Sequence, residues 1–158
     1  LGLCTDHQRM CYVPKEGEEE VPKYLQDAFK VGNRFQDICN ENFVTGKLGN
    51  EILKAVLDQA KQEGIDAHMY THPIGHFGHA AGPTIGLYEN KDYKAIEGTG
   101  DYPLYPNTCY APELNVRVPI EEWDNQTLMV MLEETVAYTE ERGIYYLSPG
   151  RDAMKLVK

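Results

Sequence analysis

The change of hydrophobic period near residue 65 is the feature of this sequence that most limits its fold. Before it, apolar residues recur every three or four positions, which predicts two helices: one opened by Pro22, and one that follows Asn50 as N-cap and ends at Gly64. After it, short apolar runs broken by Gly, Pro and Asn predict strands at about 66–71, 84–89, 107–117, 127–137 and 143–147. Helices followed by an antiparallel-looking sheet predict an α+β domain.

The first residues, LGLCTDHQRMCYV, lack helical spacing and are bounded by Pro14. They predict a strand over residues 1–13, with Cys4, Asp6, Gln8 and Met10 on one face. These residues show no charged-then-apolar signal segment. The missing start methionine suggests a piece of a longer chain. Its length of 158 residues suits one domain.

Composition excludes some partners. A net charge of -10 argues against nucleic acid, because binding to phosphates normally draws on clustered Lys and Arg. The apolar runs are too short for a membrane span, so no membrane partner is expected. The four cysteines, Cys4, Cys11, Cys39 and Cys109, form no CxxC pair and no disulfide pattern, which favours reduced thiols and a cytoplasmic location.

Three acids stand in otherwise apolar or neutral strand segments. Glu133 directly follows the run LMVML, Glu113 shares a strand face with Cys109 and Ala111, and Asp6 lies between Cys4 and Gln8. A buried carboxylate must be paired, protonated or bound to a metal. The alternatives are that Glu133 pairs with a Lys or Arg, and that Glu113 beside Pro112 lies at a surface edge.

The stretch THPIGHFGH holds three histidines within eight positions, surrounded by Gly and Pro. A lone histidine is more often a structural hydrogen-bonding residue, but this density favours a site. Carboxylates with an imidazole suit Mn, Fe, Co or Zn better than Ca or Mg. Sequence spacing alone does not show that the histidines and the acids converge.

Four segments occur in a characteristic order: LGLCTDHQRM, GHAAG, CYAPELNV and LEETVAYTEERGIYYLSP. Together they resemble the catalytic domain of the pita-bread metallopeptidases, which include prolidase, Xaa-Pro aminopeptidase and methionine aminopeptidase. The resemblance covers nearly the whole chain. It implies that 1–158 is a partial catalytic domain of this α+β fold, truncated at its N-terminal side, with a mostly antiparallel curved sheet and flanking helices.

The resemblance also implies roles for these residues. Asp6 and Glu133 correspond to the acids that bridge two divalent ions, and Glu113 to the acid that binds one ion and shuttles a proton, although the family's E-P-G is replaced here by P-E-L. GHAAG matches the family's G-H-x-x-G and makes His79 the metal ligand, with His72 and His76 as catalytic residues facing the substrate. In the alternative alignment, HPIGHFG resembles a prolidase motif, which makes His76 the metal ligand. The family's further histidine, seven residues on, is replaced by Gly86 or Pro83.

The family's first aspartate ligand would lie before residue 1. The resemblance therefore implies two divalent ions, Mn, Co, Zn or Fe, in the full-length protein, and one ion or none in this fragment, whose activity alone is doubtful. The remainder of the polypeptide, or another copy of the chain in a homo-oligomer, is the expected partner that completes the domain.

The function implied by the resemblance is hydrolysis of the peptide bond in Xaa-Pro substrates by a metal-activated hydroxide, as in an Xaa-Pro aminopeptidase or dipeptidase. The expected substrate is a peptide. One alternative is a non-catalytic pita-bread domain kept for protein binding, whose acidic charge would suit a basic partner. Another is a creatinase-like hydrolase, which shares the fold without the metals.

Overall fold

The computed structural model describes residues 4–87 and 93–157. Within these residues the chain forms two α-helices, nine short strands and two 3-10 turns, Thr99–Asp101 and Glu121–Trp123. The helices are α1 (Lys23–Glu41) and α2 (Gly49–Gln62). The strands are β1 (Cys11–Tyr12), β2 (Asp66–Met69), β3 (His72–Pro73), β4 (Thr108–Ala111), β5 (Glu113–Ile120), β6 (Gln126–Glu133), β7 (Val136–Thr139), β8 (Gly143–Tyr146) and β9 (Lys155–Leu156).

Both predicted helices are present, and their apolar stripes form one side of the core. Pro22 precedes α1, where its fixed φ suits a helix start, and its carbonyl accepts hydrogen bonds from the backbone N–H groups of Leu25 and Gln26. The buried face of α1 packs on β5 and β6, and α2 packs on α1 and β2. The largest side chains of this core include Phe29, Phe35, Ile38, Ile52, Leu53, Leu132 and Tyr110.

The predicted N-cap of α2 is wrong by two residues. The helix begins at Gly49, and Asn50 lies buried in its first turn. The Asn50 amide instead binds the backbone of Ile96, donating to the carbonyl at 3.0 Å and accepting from the N–H at 2.7 Å, and it also donates to Asp101. The Asn50 side chain is thus used in a tertiary contact and does not cap the helix. At the helix start, Glu51 instead accepts a hydrogen bond from the Leu48 N–H.

Two antiparallel sheets carry most of the strands, which confirms the α+β prediction. One sheet has the order β2-β5-β6 and the other β3-β4-β7-β8. The chain passes between them three times: from β2 to β3, from β4 to β5 at Pro112, and from β6 to β7 at residues 134–135. Pro112 splits the predicted strand 107–117 because proline cannot donate to the ladder. We call this line of three passages the crossing line.

The predicted strand over residues 1–13 is wrong for most of its described length. Only β1 is regular, and it pairs in parallel with β9, which the sequence pattern did not predict. Farther back, Gln8 forms an isolated bridge to Glu133 through two backbone hydrogen bonds of 2.9 and 2.8 Å. Of the predicted strand 84–89, Ile85 forms a bridge to Thr71, and residues 88–89 lie outside the described part of the chain.

In the described parts of the chain, neither helix combines the length and the apolar character that a membrane crossing requires.

Candidate metal centre

Four predicted site residues lie together at the crossing line. His72 is the first residue of β3, Glu113 the first of β5 and Glu133 the last of β6. Asp6 is held against the same line by Thr135, whose hydroxyl accepts a hydrogen bond from the Asp6 N–H at 3.2 Å and donates to the Asp6 carbonyl at 3.1 Å. The site therefore collects side chains from both sheets and from the N-terminal segment.

Strand pairing explains why the acids share a face. Glu113 and Glu133 are directly paired across β5 and β6, so their side chains project from the same side of the sheet. Gln8 pairs with Glu133, and Asp6 lies two residues before Gln8, which places it on that side as well. The opposite face, with Leu114 and Leu132, is buried against the helices.

The imidazole of His72 is directed into this group of carboxylates. Its Nε2 lies 3.7 Å from Glu133 Oε1 and 3.9 Å from both Asp6 Oδ2 and Glu113 Oε2. The other ring nitrogen, Nδ1, lies 3.2 Å from the Pro73 carbonyl oxygen. A proton on Nδ1 satisfies that contact and leaves the lone pair of Nε2 facing the acids, the usual arrangement of a metal-binding histidine.

The residues present fit a divalent ion. One potential ligand atom each from Asp6, His72 and Glu133 lies within 4.8 Å of the other two. Glu133 is buried, and its Oε1 has no hydrogen-bond partner among the described residues. Such an orphaned carboxylate oxygen is costly unless a cation or a proton compensates it. Two carboxylates with one imidazole form a donor set that suits Mn, Fe, Co or Zn.

The carboxylates also change the protonation of His72. Burial alone lowers the pKa of this imidazole, but its interactions with Glu133, with the Pro73 carbonyl and with Glu113 outweigh burial. The pKa of His72 is therefore raised above its ordinary value. In the metal-free protein a proton on His72 partly offsets the negative charge of the acids.

The other two histidines of the stretch are exposed. The His79 ring stacks on the His72 ring, with ring centroids 4.1 Å apart and planes 17° apart. The backbone carbonyl of His76 accepts a hydrogen bond from the Cys4 thiol at 2.9 Å. The structure thus brings Asp6, His72, Glu113 and Glu133 together and places His79 against His72, while the ligand role predicted for His79 stays a prediction.

Sequence reasoning missed the residue that follows Glu133. Glu134 is 1% exposed and accepts two hydrogen bonds of 2.7 Å from Arg9, one from Nε and one from Nη2. His7 Nε2 lies 3.6 Å from the same carboxylate. The sequence contained a signal for this pair: LEET has two consecutive acids, and Arg9 lies three residues after Asp6. Neighbouring residues on an extended chain point to opposite sides, so the two acids face different surroundings.

Comparison with known proteins gives matches at the level of structure. No family model matches the sequence, and no curated protein does either. The chain is 18% identical to an X-Pro aminopeptidase from Thermotoga maritima, with a TM-score of 0.61 over 87% of this chain and 35% of that one. It is 20% identical to methionine aminopeptidase from Rickettsia prowazekii, with a TM-score of 0.58 over 90% of this chain and 57% of that one.

A third match is the N-terminal domain of the FACT complex subunit SPT16 from chickpea, at 12% identity and a TM-score of 0.67 over 96% of this chain and 34% of that one. The chain therefore spans 34% to 57% of the length of these three proteins. At such low identity the matches concern the fold. The chain has the pita-bread fold found in X-Pro aminopeptidases and methionine aminopeptidases.

Proposed function

We propose that this chain carries the metal centre of a peptidase that hydrolyses the peptide bond of Xaa-Pro substrates. The single observation that carries the proposal is the convergence of Asp6, His72 and Glu133, with Glu113 beside them, at the crossing line. The fold supports it, since solved structures with this fold bear the names of peptidases.

In this proposal Asp6, His72 and Glu133 hold a divalent ion, and Glu113 lies at its side. When bound, such an ion polarises the scissile carbonyl and lowers the pKa of water. Glu133 contributes Oε1, a buried oxygen atom without a hydrogen-bond partner among the described residues, and His72 contributes Nε2. Because His72 and Glu133 are buried at strand ends and Thr135 holds the Asp6 backbone, these residues are oriented before the ion arrives.

Glu113 is the acid best suited to move a proton. It is 17% exposed, against 8% for Glu133, so it remains within reach of substrate and solvent. In the proposed reaction, a Glu113 carboxylate oxygen takes a proton from the attacking water and delivers it to the leaving nitrogen. The exposed His76 and His79 then face the substrate, where an imidazole can donate a hydrogen bond to its carbonyl oxygen.

Titration of the purified protein with Mn²⁺ or Co²⁺, followed by an assay on an Xaa-Pro dipeptide and on a longer Xaa-Pro peptide, tests the proposal. We expect saturable binding of the ion and cleavage that depends on it. Glu113→Gln should retain most of the binding and lose cleavage, whereas Glu19→Gln, an exposed acid outside the site, should behave as wild type. A protein that binds neither ion under any of these conditions would contradict the proposal.

A second experiment identifies the nitrogen ligand. His72→Gln should abolish binding of the ion, because Nε2 of His72 faces the acids. His79→Gln should weaken binding only through the loss of ring stacking on His72. The opposite result would support the ligand role that the G-H-x-x-G motif predicts for His79.

A protein-binding domain without catalysis is the second candidate function. It is favoured by the match to the SPT16 domain, whose name describes a subunit of a complex rather than a peptidase. The net charge of -10 suits a basic protein partner. Binding of a basic protein that weakens steeply with salt, together with wild-type affinity in Asp6→Asn, would favour this candidate over the peptidase.

A further inference from the structure

We propose that the Arg9–Glu134 ion pair is a positioning device that holds Asp6 and Glu133 in register with each other. The proposal rests on the metal centre proposed above and adds two residues that contact no ligand atom themselves. It concerns the alignment of the N-terminal segment, residues 4–10, with the end of β6.

The geometry of the pair is that of a fixed clamp. Both guanidinium-to-carboxylate hydrogen bonds are 2.7 Å long, and Nη1 of Arg9 donates a third, of 3.1 Å, to the Pro149 carbonyl. Glu134 is almost completely buried, whereas the Arg9 side chain is 26% exposed. A bidentate arginine–carboxylate pair constrains orientation as well as distance.

The N-terminal segment needs such a constraint because its backbone pairing is sparse. Its ladder contact with β6 is the isolated bridge between Gln8 and Glu133, and the Thr135 hydroxyl holds the Asp6 backbone. A shift of one residue in an extended segment turns every side chain to the opposite side. Such a slip would point Asp6 away from His72 and Glu133, and it would separate Arg9 from Glu134.

The consecutive acids therefore have separate tasks. Glu134 neutralises Arg9, so that the guanidinium charge is satisfied outside the metal centre. Glu133 faces Asp6 and His72 and keeps an oxygen atom available for a cation. The backbone between them links the clamp to the ligand, because the Glu133 N–H donates to the Gln8 carbonyl at 2.8 Å.

Two substitutions test the clamp in the full protein. Glu134→Gln removes the carboxylate charge, and Arg9→Lys keeps the positive charge but loses the two-pronged geometry. Because Arg9 is partly exposed, Arg9→Lys remains informative if Glu134→Gln does not fold. Glu63→Gln is the control for loss of a bidentate pair, because Arg34 of α1 makes two hydrogen bonds, of 2.7 and 2.8 Å, with Glu63, the residue that follows α2.

Each variant is measured by Co²⁺ titration calorimetry and, without metal, by hydrogen exchange of the Gln8 and Glu133 amides relative to the Leu53 amide in α2. We expect both clamp variants to bind Co²⁺ about 10-fold more weakly or worse, and to exchange these two amides faster than Leu53. The control should leave both readouts near wild type. A merely structural role would accelerate exchange at all three amides together and leave the affinity of the folded protein unchanged.

Two different failures are distinguishable. If the wild-type protein binds Co²⁺ and both clamp variants bind it within twofold of wild type, the positioning role is overturned and the metal centre stands. If the wild-type protein binds no Co²⁺, the metal centre is overturned and hydrogen exchange alone decides the clamp. Unchanged relative exchange of Gln8 and Glu133 in both variants then overturns it.

Discussion

Two acids, Glu133 and Glu134, are buried in the described part of the chain, and they have opposite surroundings. Glu134 faces Arg9, which removes the cost of burying its charge. Glu133 faces a histidine and two further acids, where negative charge accumulates. The same residue type thus supports the structure at one position and favours cation binding at the next.

The raised pKa of His72 predicts how the stability of the metal-free protein changes with pH. A group whose pKa is raised on folding stabilises the folded state below its ordinary pKa, near 6.5, and loses that contribution as the pH rises through the raised value. We therefore expect the His72 contribution to the free energy of unfolding to fall as the pH rises above 6.5. Urea unfolding with a chelator present measures it, and His72→Gln should remove this part of the pH dependence. An unchanged pH profile in the variant would contradict the assignment.

Tyr12 forms a hydrogen bond with Glu18 that shifts the pKa of both side chains. Its hydroxyl donates to Glu18 at 2.6 Å, and this hydrogen bond is the main reason that its pKa is raised to about 12. The same hydrogen bond, with one from the Lys15 N–H, lowers the pKa of Glu18. The Glu18 contribution to stability is therefore present above pH 4.5 and is lost as the pH falls through the lowered pKa.

Glu18→Gln should bring the pKa of Tyr12 back toward about 10, as measured by NMR of the tyrosine ring carbons. Glu19→Gln is the control, because Glu19 is exposed and adjacent in sequence. A Tyr12 pKa that stays near 12 in Glu18→Gln would show that another group holds the phenol proton.

At the scale of elements, α2 is fitted closely to the loop that follows the histidines. A Cβ at Gly49 would overlap the Thr84 carbonyl oxygen and would lie 3.1 Å from Pro83 Cβ and 3.2 Å from the Gly100 carbonyl oxygen. Backbone atoms cannot move aside as a side chain does, so the first turn of α2 requires glycine here.

Gly49→Ala should therefore lower the free energy of unfolding by about 3 kcal/mol. Gly64→Ala is the comparison, since Gly64 has a φ of +73° and open space around it, and its cost of about 1 kcal/mol reflects backbone strain alone. Denaturant unfolding of both variants gives the two values. Equal losses would mean that contact with Thr84 does not decide the role of Gly49.

Sequence rules succeeded where the governing interaction is local. The spacing of apolar residues predicted both helices, and strand alternation singled out Glu113 and Glu133, which are indeed paired on one face. These patterns depend only on the geometry of one element. The order of the motifs identified the fold in addition, as the matched structures confirm.

The sequence rules failed where a segment distant in the chain determines the contacts of a residue or the pairing of a strand. Asn50 has an N-cap sequence, but Ile96 and Asp101 bind its amide. The parallel partner of β1 lies at the far end of the chain, in β9. The direction of His72 depends on how β3 pairs with β4, where His72 lies opposite Ala111, and a glycine-rich stretch has no period that could reveal this.

At the scale of the whole molecule, a bound ion should stabilise the folded protein by mass action. At a free ion concentration about 100 times Kd, the free energy of unfolding should rise by about 2.7 kcal/mol. Thermal or urea unfolding with and without Mn²⁺ or Co²⁺ measures the change, and a chelator should reverse it. Asp6→Asn should lose most of the effect, whereas an equal gain in that variant would mean that the ion binds elsewhere.

The crossing line also makes the centre a reporter of the relative orientation of the two sheets. His72 is contributed by the sheet that contains β3, and Glu113 and Glu133 by the sheet that contains β5 and β6. An ion bound by residues of both sheets would link them, and the affinity of the protein for that ion would depend on the angle at which the sheets meet. Because linkage between two binding events is reciprocal, a peptide or protein that changes this angle would change the affinity for the ion by the same factor that the ion changes the affinity for it.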